Sequence, residues 1–377
     1  MTARALSILH TEASLGWGGQ EIRILNESLG MQARGHTITL AAPAEARISG
    51  EARARGLSVI ETPIGRKNLR GLAAMRALLR TSHFDIVNTH SSTDTWLAAL
   101  ALALTPGTRG PALVRTRHIS APVSTGLATR WLYRQASARI ATTGETLRRE
   151  LIDTLGLDPT RVLSVPTGMD TERFKPGDRD AARAGLGLPG DVTLVGIVAT
   201  LRSWKGHRHL IEAVARLVND RAAPDRGGPI GLVIVGDGPQ REALSAQAAA
   251  LGLPAFWMPG NQTDVVPWLH ALDIFALPSY ANEGVPQALV QAMLCGLPCI
   301  TTSVGAIGEA ALADQTALVV TPQSVDEIAV SIDRLVRDPA LRTRLGLAAR
   351  THCMAKFDAR VMLDRMEGLF QAAAGAR

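Results

Sequence analysis

Residues 278–302 read PSYANEGVPQALVQAMLCGLPCITT, and the order of residue types in this stretch decides the fold. It starts where an apolar strand ends, crosses a polar loop, enters a segment of helical spacing and leaves through a second short apolar run. Pro286 suits a first helical turn, where a missing N–H costs nothing, and Gly296 suits the position just past the last turn. With a helix beginning near Gly284, the polar side chains of Glu283, Gln287 and Gln291 recur every four residues and stack on one face, while Leu289, Ala292 and Met293 turn inward. A strand, a helix and another strand in this order make one unit of a parallel sheet. A glycine-containing loop that runs into a helix N-terminus also gathers free N–H groups at the positive end of the dipole, which is how a backbone binds an anion.

The same alternation runs outward from this stretch to both ends. Upstream, the expected strands are Ala5–Leu9, Thr37–Ala42, Leu57–Glu61, Phe84–Thr89, Ala112–Thr116, Arg139–Thr142 and Val162–Val165. Downstream they are Val192–Ala199, Gly231–Val235, Ala255–Met258, Asp273–Leu277, Pro298–Thr302 and Ala317–Val320. Segments between them carry helical periodicity, as in Leu210, Ile211, Val214, Leu217 and Val218. At roughly 100–200 residues per domain, the 377 residues make two domains. Phe174–Asp191, rich in glycine, proline and charge, has the composition of a linker. The expectation is therefore an α/β protein of two doubly wound domains, residues 1–175 and 176–356, with ligand in the cleft between them at the carboxyl ends of the strands. A final helix over 357–377 must cover something, because Val361, Leu363, Met366, Leu369 and Phe370 are apolar.

Composition excludes several classes. Hydrophobic residues are 46% and charged residues 20%, which is ordinary for a globular chain. Aromatics at 4% are too few for base-stacking platforms, so nucleic acid is not an expected partner. Cys295, Cys299 and Cys353 form neither a C-x-x-C pair nor a metal-ligand spacing, which argues for reduced thiols and a cytoplasmic setting. The start resembles no secretory signal, and the apolar run Trp96–Leu104 is far short of the roughly 20 residues of a membrane span. Neither half has a G-x-G-x-x-G after its first strand, which counts against an NAD enzyme. Residues 1–180 hold 23 Lys and Arg against 16 Asp and Glu, and the remainder 17 against 18, so all the excess positive charge lies in the first half. An anionic membrane surface is a partner that such a half suits.

The stretch 278–302 resembles the signature of the retaining glycosyltransferases of family 4, P-S-x-x-E-G-x-P-x-x-x-x-E-A-M-x-x-G-x-P, with Gln291 in place of the second glutamate. Further matches are GWGGQEIRILNESLGMQARGHTITL (16–40), VLSVPTGMDTERFKP (162–176), VATLRSWKGHRHLIEA (198–213), VIVGDGPQREAL (233–244), PGNQTDVVPWLHALDIFALPS (259–279) and VGAIGEAA (304–311). Thr167 stands where the family has Asn, and Ala306 where it has Gly. The family's arginine, five residues before Lys205, is Thr200 here, so Arg202 takes its place. The resemblance implies the GT-B fold, with two Rossmann-like domains facing a cleft and the C-terminal helix crossing back onto the first. It implies catalytic roles for His118, Glu283, Lys205 and Arg202. For the donor it implies Gly18, Gly19, Arg202, Lys205, Gly236, Asn261, Glu283, Gly284, Val285, Pro286, Gln287, Leu289 and Gln291.

In that reading the co-substrate is a nucleotide diphosphate sugar, the acceptor is a surface glycan or its lipid-linked precursor, and neither metal nor cofactor is expected. Arg202, Lys205 and the amides after Glu283 would meet the charge that builds on the β-phosphate. His118 would hydrogen-bond the transferred sugar, with His90 as the alternate, and the enzyme would work in the cytoplasm or on the inner membrane face. Asp178-Arg179-Asp180 spells D-x-D, the metal sign of another glycosyltransferase architecture. It follows no strand and is read as coincidence. Two other readings stay open: a sugar-nucleotide epimerase, for which no acid/base pair is evident, and a non-catalytic sugar-nucleotide or glycan-binding subunit, which Gln291 favours.

Overall fold

A computed structural model describes residues 4–105, 110–118, 123–220, 228–281 and 283–375. They form two compact units, one of Met1–Gly168 with Arg360–Arg377 and one of Met169–Ala359. The first contains strands β1 (Ser7–Thr11), β2 (Thr37–Ala42), β3 (Ser58–Glu61), β4 (Ile86–Thr89), β5 (Ala112–Arg117), β6 (Arg139–Thr142) and β7 (Val162–Ser164). The second contains β8 (Thr193–Val198), β9 (Ile230–Val235), β10 (Phe256–Gly260), β11 (Ile274–Leu277), β12 (Cys299–Thr301) and β13 (Leu318–Val319). Every expected strand is present, with ends moved by one or two residues.

The strands run in the orders β3-β2-β1-β4-β5-β6-β7 and β10-β9-β8-β11-β12-β13, and every recorded pairing within the two sheets is parallel. Helices between strands cover both faces, so the strands are apolar runs without alternation. In each sheet the first strand lies inside, and the winding reverses beside it, between β1 and β4 and again between β8 and β11. Loops leaving the two strands at such a point diverge and open a crevice at their carboxyl ends.

The first sheet packs one face against Ile24, Leu25 and Met31 of the helix Gly19–Ala33 and against Met362, Met366, Leu369 and Phe370 of the terminal helix Ala359–Gly375. That helix covers apolar area of the first sheet, as its pattern required. Leu363 lies so close to Gly30 that a Cβ there would come within 2.5 Å of it.

The stretch Phe174–Asp191 is not a linker. It holds a helix, Arg179–Leu186, and belongs to the second unit. Its Arg183 is buried and donates to Asp273 Oδ2 at 2.6 Å and to the carbonyls of Ala271, Gly190 and Val192. Asp178 caps the helix by accepting from the amides of Asp180 and Ala181, so the D-x-D triplet is helix-start chemistry.

Candidate functional site

The crevice of the second sheet is built by the loops after β8 and β11. The β8 loop makes one short turn, Ser203–Lys205, and ends on Gly206, which opens the helix His207–Asn219. Gly206 has φ +80°, and a Cβ there would lie 2.1 Å from the Pro278 carbonyl oxygen, so the two loops touch backbone to backbone. The Tyr280 amide donates to the Trp204 carbonyl at 2.8 Å, a second tie. Between these ties Lys205 Nζ donates to Glu283 Oε1 at 2.6 Å, and Ser279 Oγ donates to the same oxygen at 2.6 Å. Thr302 Oγ1 donates to the Ser279 carbonyl at 2.6 Å and steadies the loop from the end of β12.

Glu283 lies before the helix, not on it. The helix runs Gln287–Leu294 with Pro286 as its N-cap, so the expected start near Gly284 is corrected by one turn. The cause is Gly305: at φ +61° it packs so closely that a Cβ would fall 1.9 Å from the Glu283 carbonyl, and the neighbouring Ala306 amide donates to that carbonyl at 3.3 Å. The segment Glu283–Val285 is thereby held out of the helix, with Gly284 and Val285 in a bend, and the first-turn amides of the helix have no helical acceptor ahead of them. Gln287 and Gln291 do share one face and are half-buried; Gln291 Nε2 lies 4.0 Å from Met169 Sδ. Leu289 is fully buried in the core, so its side chain is packing and reaches no ligand.

Arg202 is exposed, with its guanidinium 5.8 Å from the Trp204 ring centroid, and is not part of the Lys205–Glu283 pair. Gly236 follows β9 at φ +138° and packs on the Ala199 carbonyl, so the chain itself requires a glycine there. Asn261 is exposed just past β10. Sequence reading singled out none of Ser279, Thr302, Gly206 or Gly305 for the site.

The remaining expected residues lie in the first unit. Gly18 caps the helix Gly19–Ala33 with an extended backbone, and a Cβ on it would meet only Glu21 Oε2 at 3.8 Å, so nothing in the fold demands glycine there. His118 follows β5 and His90 follows β4; His90 Nδ1 and His118 Nε2 are 2.9 Å apart. Around them, sequence reading missed a buried polar set. Glu12 accepts from Gln20 Nε2 at 2.5 Å and from the Ser14 amide at 2.7 Å. Burial first, then the charge of Asp94, pushes its carboxyl up to about 7. Arg23 and Glu27 are wholly buried with Nε and Oε2 3.6 Å apart, and Asn88 bridges Glu27 to Thr116. Among the described residues no group of three or more His, Cys, Asp or Glu is placed to hold a metal ion.

The fold is that of a GT-B protein with two Rossmann-like units. Residues 17–173 match the family model described as Glycosyltransferase Family 4 and residues 178–352 the one described as Glycosyl transferases group 1. The chain belongs to this family, a class of nucleotide-sugar-dependent transferases. It is 30% identical over 71% of its length to the D-inositol 3-phosphate glycosyltransferase of Frankia alni, covering 69% of that protein. The protein of the same name from Rhodococcus opacus is 29% identical over 75% of this chain, which spans 66% of that relative's length. A glycosyltransferase structure from Rickettsia africae superposes with TM-score 0.85 at 18% identity, covering 98% of both chains. Anabaena HepE, solved in complex with UDP, gives 0.82 at 20% identity over 96% of this chain and 98% of its own.

Proposed function

We propose that the protein is a metal-independent, retaining glycosyltransferase that moves a hexose-type sugar from a nucleoside diphosphate to a bacterial surface-glycan or lipid-linked acceptor. The observation that carries this reading is the Lys205–Glu283 pair at the β8/β11 crevice, beside the amide-rich entrance of the helix Gln287–Leu294. A cation and a helix entrance at one point are preorganised for a pyrophosphate, and they stabilise charge that grows on the β-phosphate as the bond to the sugar breaks.

The bond from the anomeric carbon to the β-phosphate oxygen breaks, and its electron pair goes to the phosphate. The acceptor oxygen bonds to the same carbon from the same face, and its proton passes to the departing phosphate. Lys205 neutralises that phosphate. Glu283, held by Lys205 and Ser279, accepts hydrogen bonds from hydroxyls of the donor sugar. Gln291 takes the ribose hydroxyls through an amide that both donates and accepts. His118 hydrogen-bonds the transferred sugar. The basic first half suits an anionic acceptor or a lipid surface at the inner membrane face, and no helix among the described residues is long and apolar enough to cross a membrane.

The test is a thermal-shift panel of sugar nucleotides followed by NMR of the product's anomeric centre. Selective stabilisation by one sugar nucleotide and a product of unchanged configuration are expected. A flat panel at millimolar ligand, or an inverted product, overturns the proposal.

A further inference from the structure

The carboxyl ends of β1, β4 and β5 hold three histidines in a row. His10 lies in β1, His90 follows β4 and His118 follows β5. His10 Nδ1 is 3.0 Å from His90 Nε2, and His90 Nδ1 is 2.9 Å from His118 Nε2. Ring centroids are 5.3 Å apart in the first pair and 5.1 Å in the second. Burial holds all three neutral, taking His10 down to about 3 and the other two well below the usual histidine range.

A neutral imidazole has one N–H and one lone pair. Both links join an Nδ1 to an Nε2, so assigning the hydrogen of one ring assigns the others. If His10 carries Nδ1–H, His90 must accept at Nε2 and carry Nδ1–H in turn, and so must His118. All three rings therefore share one tautomer. The two arrangements differ at the ends of the row: one leaves N–H on the outer Nδ1 of His118, and the other leaves a lone pair there and N–H on His10 Nε2.

Either way the links leave no ring an independent choice, so the outer Nδ1 of His118 has one hydrogen-bonding role set by the whole row.

We propose that His10 and His90 are positioning residues that lock His118 in the one tautomer the whole row shares, so that its Nδ1 meets a hydroxyl in one fixed hydrogen-bonding role. That the hydroxyl belongs to the transferred sugar rests on the function proposed above. The row is a lock and no proton wire, because it ends at His10 Nε2, which is buried without a hydrogen-bond partner among the described residues.

The experiment is a two-bond proton–nitrogen correlation spectrum of the full chain labelled with 15N-histidine at neutral pH, with His10→Phe, His90→Phe and His118→Phe variants to assign signals. Three rings of one tautomer are expected in the wild type, with tautomer exchange at His118 once His90 is replaced. A mixture of tautomers along the wild-type row, or an imidazolium at His118, overturns the proposal. If His90→Phe does not fold, His10→Phe reads the same coupling from the far end. In turnover, His90→Phe lowers kcat roughly tenfold with donor KM almost unchanged, and costs nothing further in a His118→Ala background. Additive losses overturn the positioning role. Turnover unchanged in His118→Ala removes the sugar assignment alone, and the spectrum still decides the lock.

Discussion

At the carboxyl end of β8 the crevice holds Lys205 and Glu283, an ion pair at its rim whose lysine is 18% and whose glutamate is 5% exposed. At the carboxyl end of β1 the equivalent place in the other sheet is filled by His10, Glu12, Arg23, Glu27 and Asp94, all buried. The topology is the same and the contents differ in how they meet water. A lysine that still reaches solvent can exchange its partner for a ligand's phosphate at lower cost, and Ser279 Oγ still donates to the Glu283 carboxylate it leaves. Charges sealed in the interior have no such exchange, so they must satisfy one another and act by fixing geometry. One crevice is built to change partners and the other to hold still.

The largest effect expected is at the rim. Lys205→Ala should lower kcat/KM by about 10²–10³-fold, the usual cost of losing a preorganised charge-stabilising donor, and lower the melting temperature only modestly, because Ser279 Oγ still donates to Glu283. In the sealed crevice the pattern should invert. Arg23→Met leaves Glu27 unpaired and should cost roughly 3–5 kcal/mol in denaturant unfolding. A large stability loss in Lys205→Ala, or none in Arg23→Met, would break the contrast.

Next comes acid sensitivity. His10 ordinarily titrates near 6.5 and here near 3, so its contribution is fully present above pH 6.5 and falls as pH drops from there toward 3. Glu12 has the opposite sign: raised from 4.5 to about 7, its contribution is fully present below pH 4.5 and is lost as pH rises to 7. Melting curves from pH 4 to 8 should show His10→Phe flattening the acid limb and Glu12→Gln flattening the neutral one. The smallest effect is at Gln291. Gln291→Glu should alter kcat within about threefold, less than 1 kcal/mol, because the amide already serves hydroxyls. A variant that switches on turnover in an inactive wild type would instead favour a non-catalytic binding subunit.

Much of the fold was legible because parallel strands buried on both faces write themselves as unbroken apolar runs, and all thirteen could be placed. The helix Arg179–Leu186 was not legible: it looks polar, and Arg183 is buried by partners that include Asp273 and the Ala271 carbonyl, far away in sequence. The helix start at Gln287 was hidden for a related reason, since the backbone of Glu283 is set by Gly305, which no local pattern connects to it. His10 falls just past the expected strand Ala5–Leu9 and inside the observed one; its role emerges only when β4 and β5 bring His90 and His118 alongside. Lys205 and Glu283 were readable because their loops carry family letters, whereas Ser279, at the start of the same stretch, shows its purpose only through its bond to Glu283.

Isothermal titration of whichever of UDP, GDP or ADP binds, compared with its bare nucleoside, in the wild type and in Lys205→Ala, tests most directly whether the β8/β11 crevice grips a pyrophosphate. The diphosphate should bind at least tenfold tighter than the nucleoside in the wild type, and that margin should collapse in the variant while nucleoside affinity stays put. An undiminished margin in Lys205→Ala would contradict the assignment of the crevice.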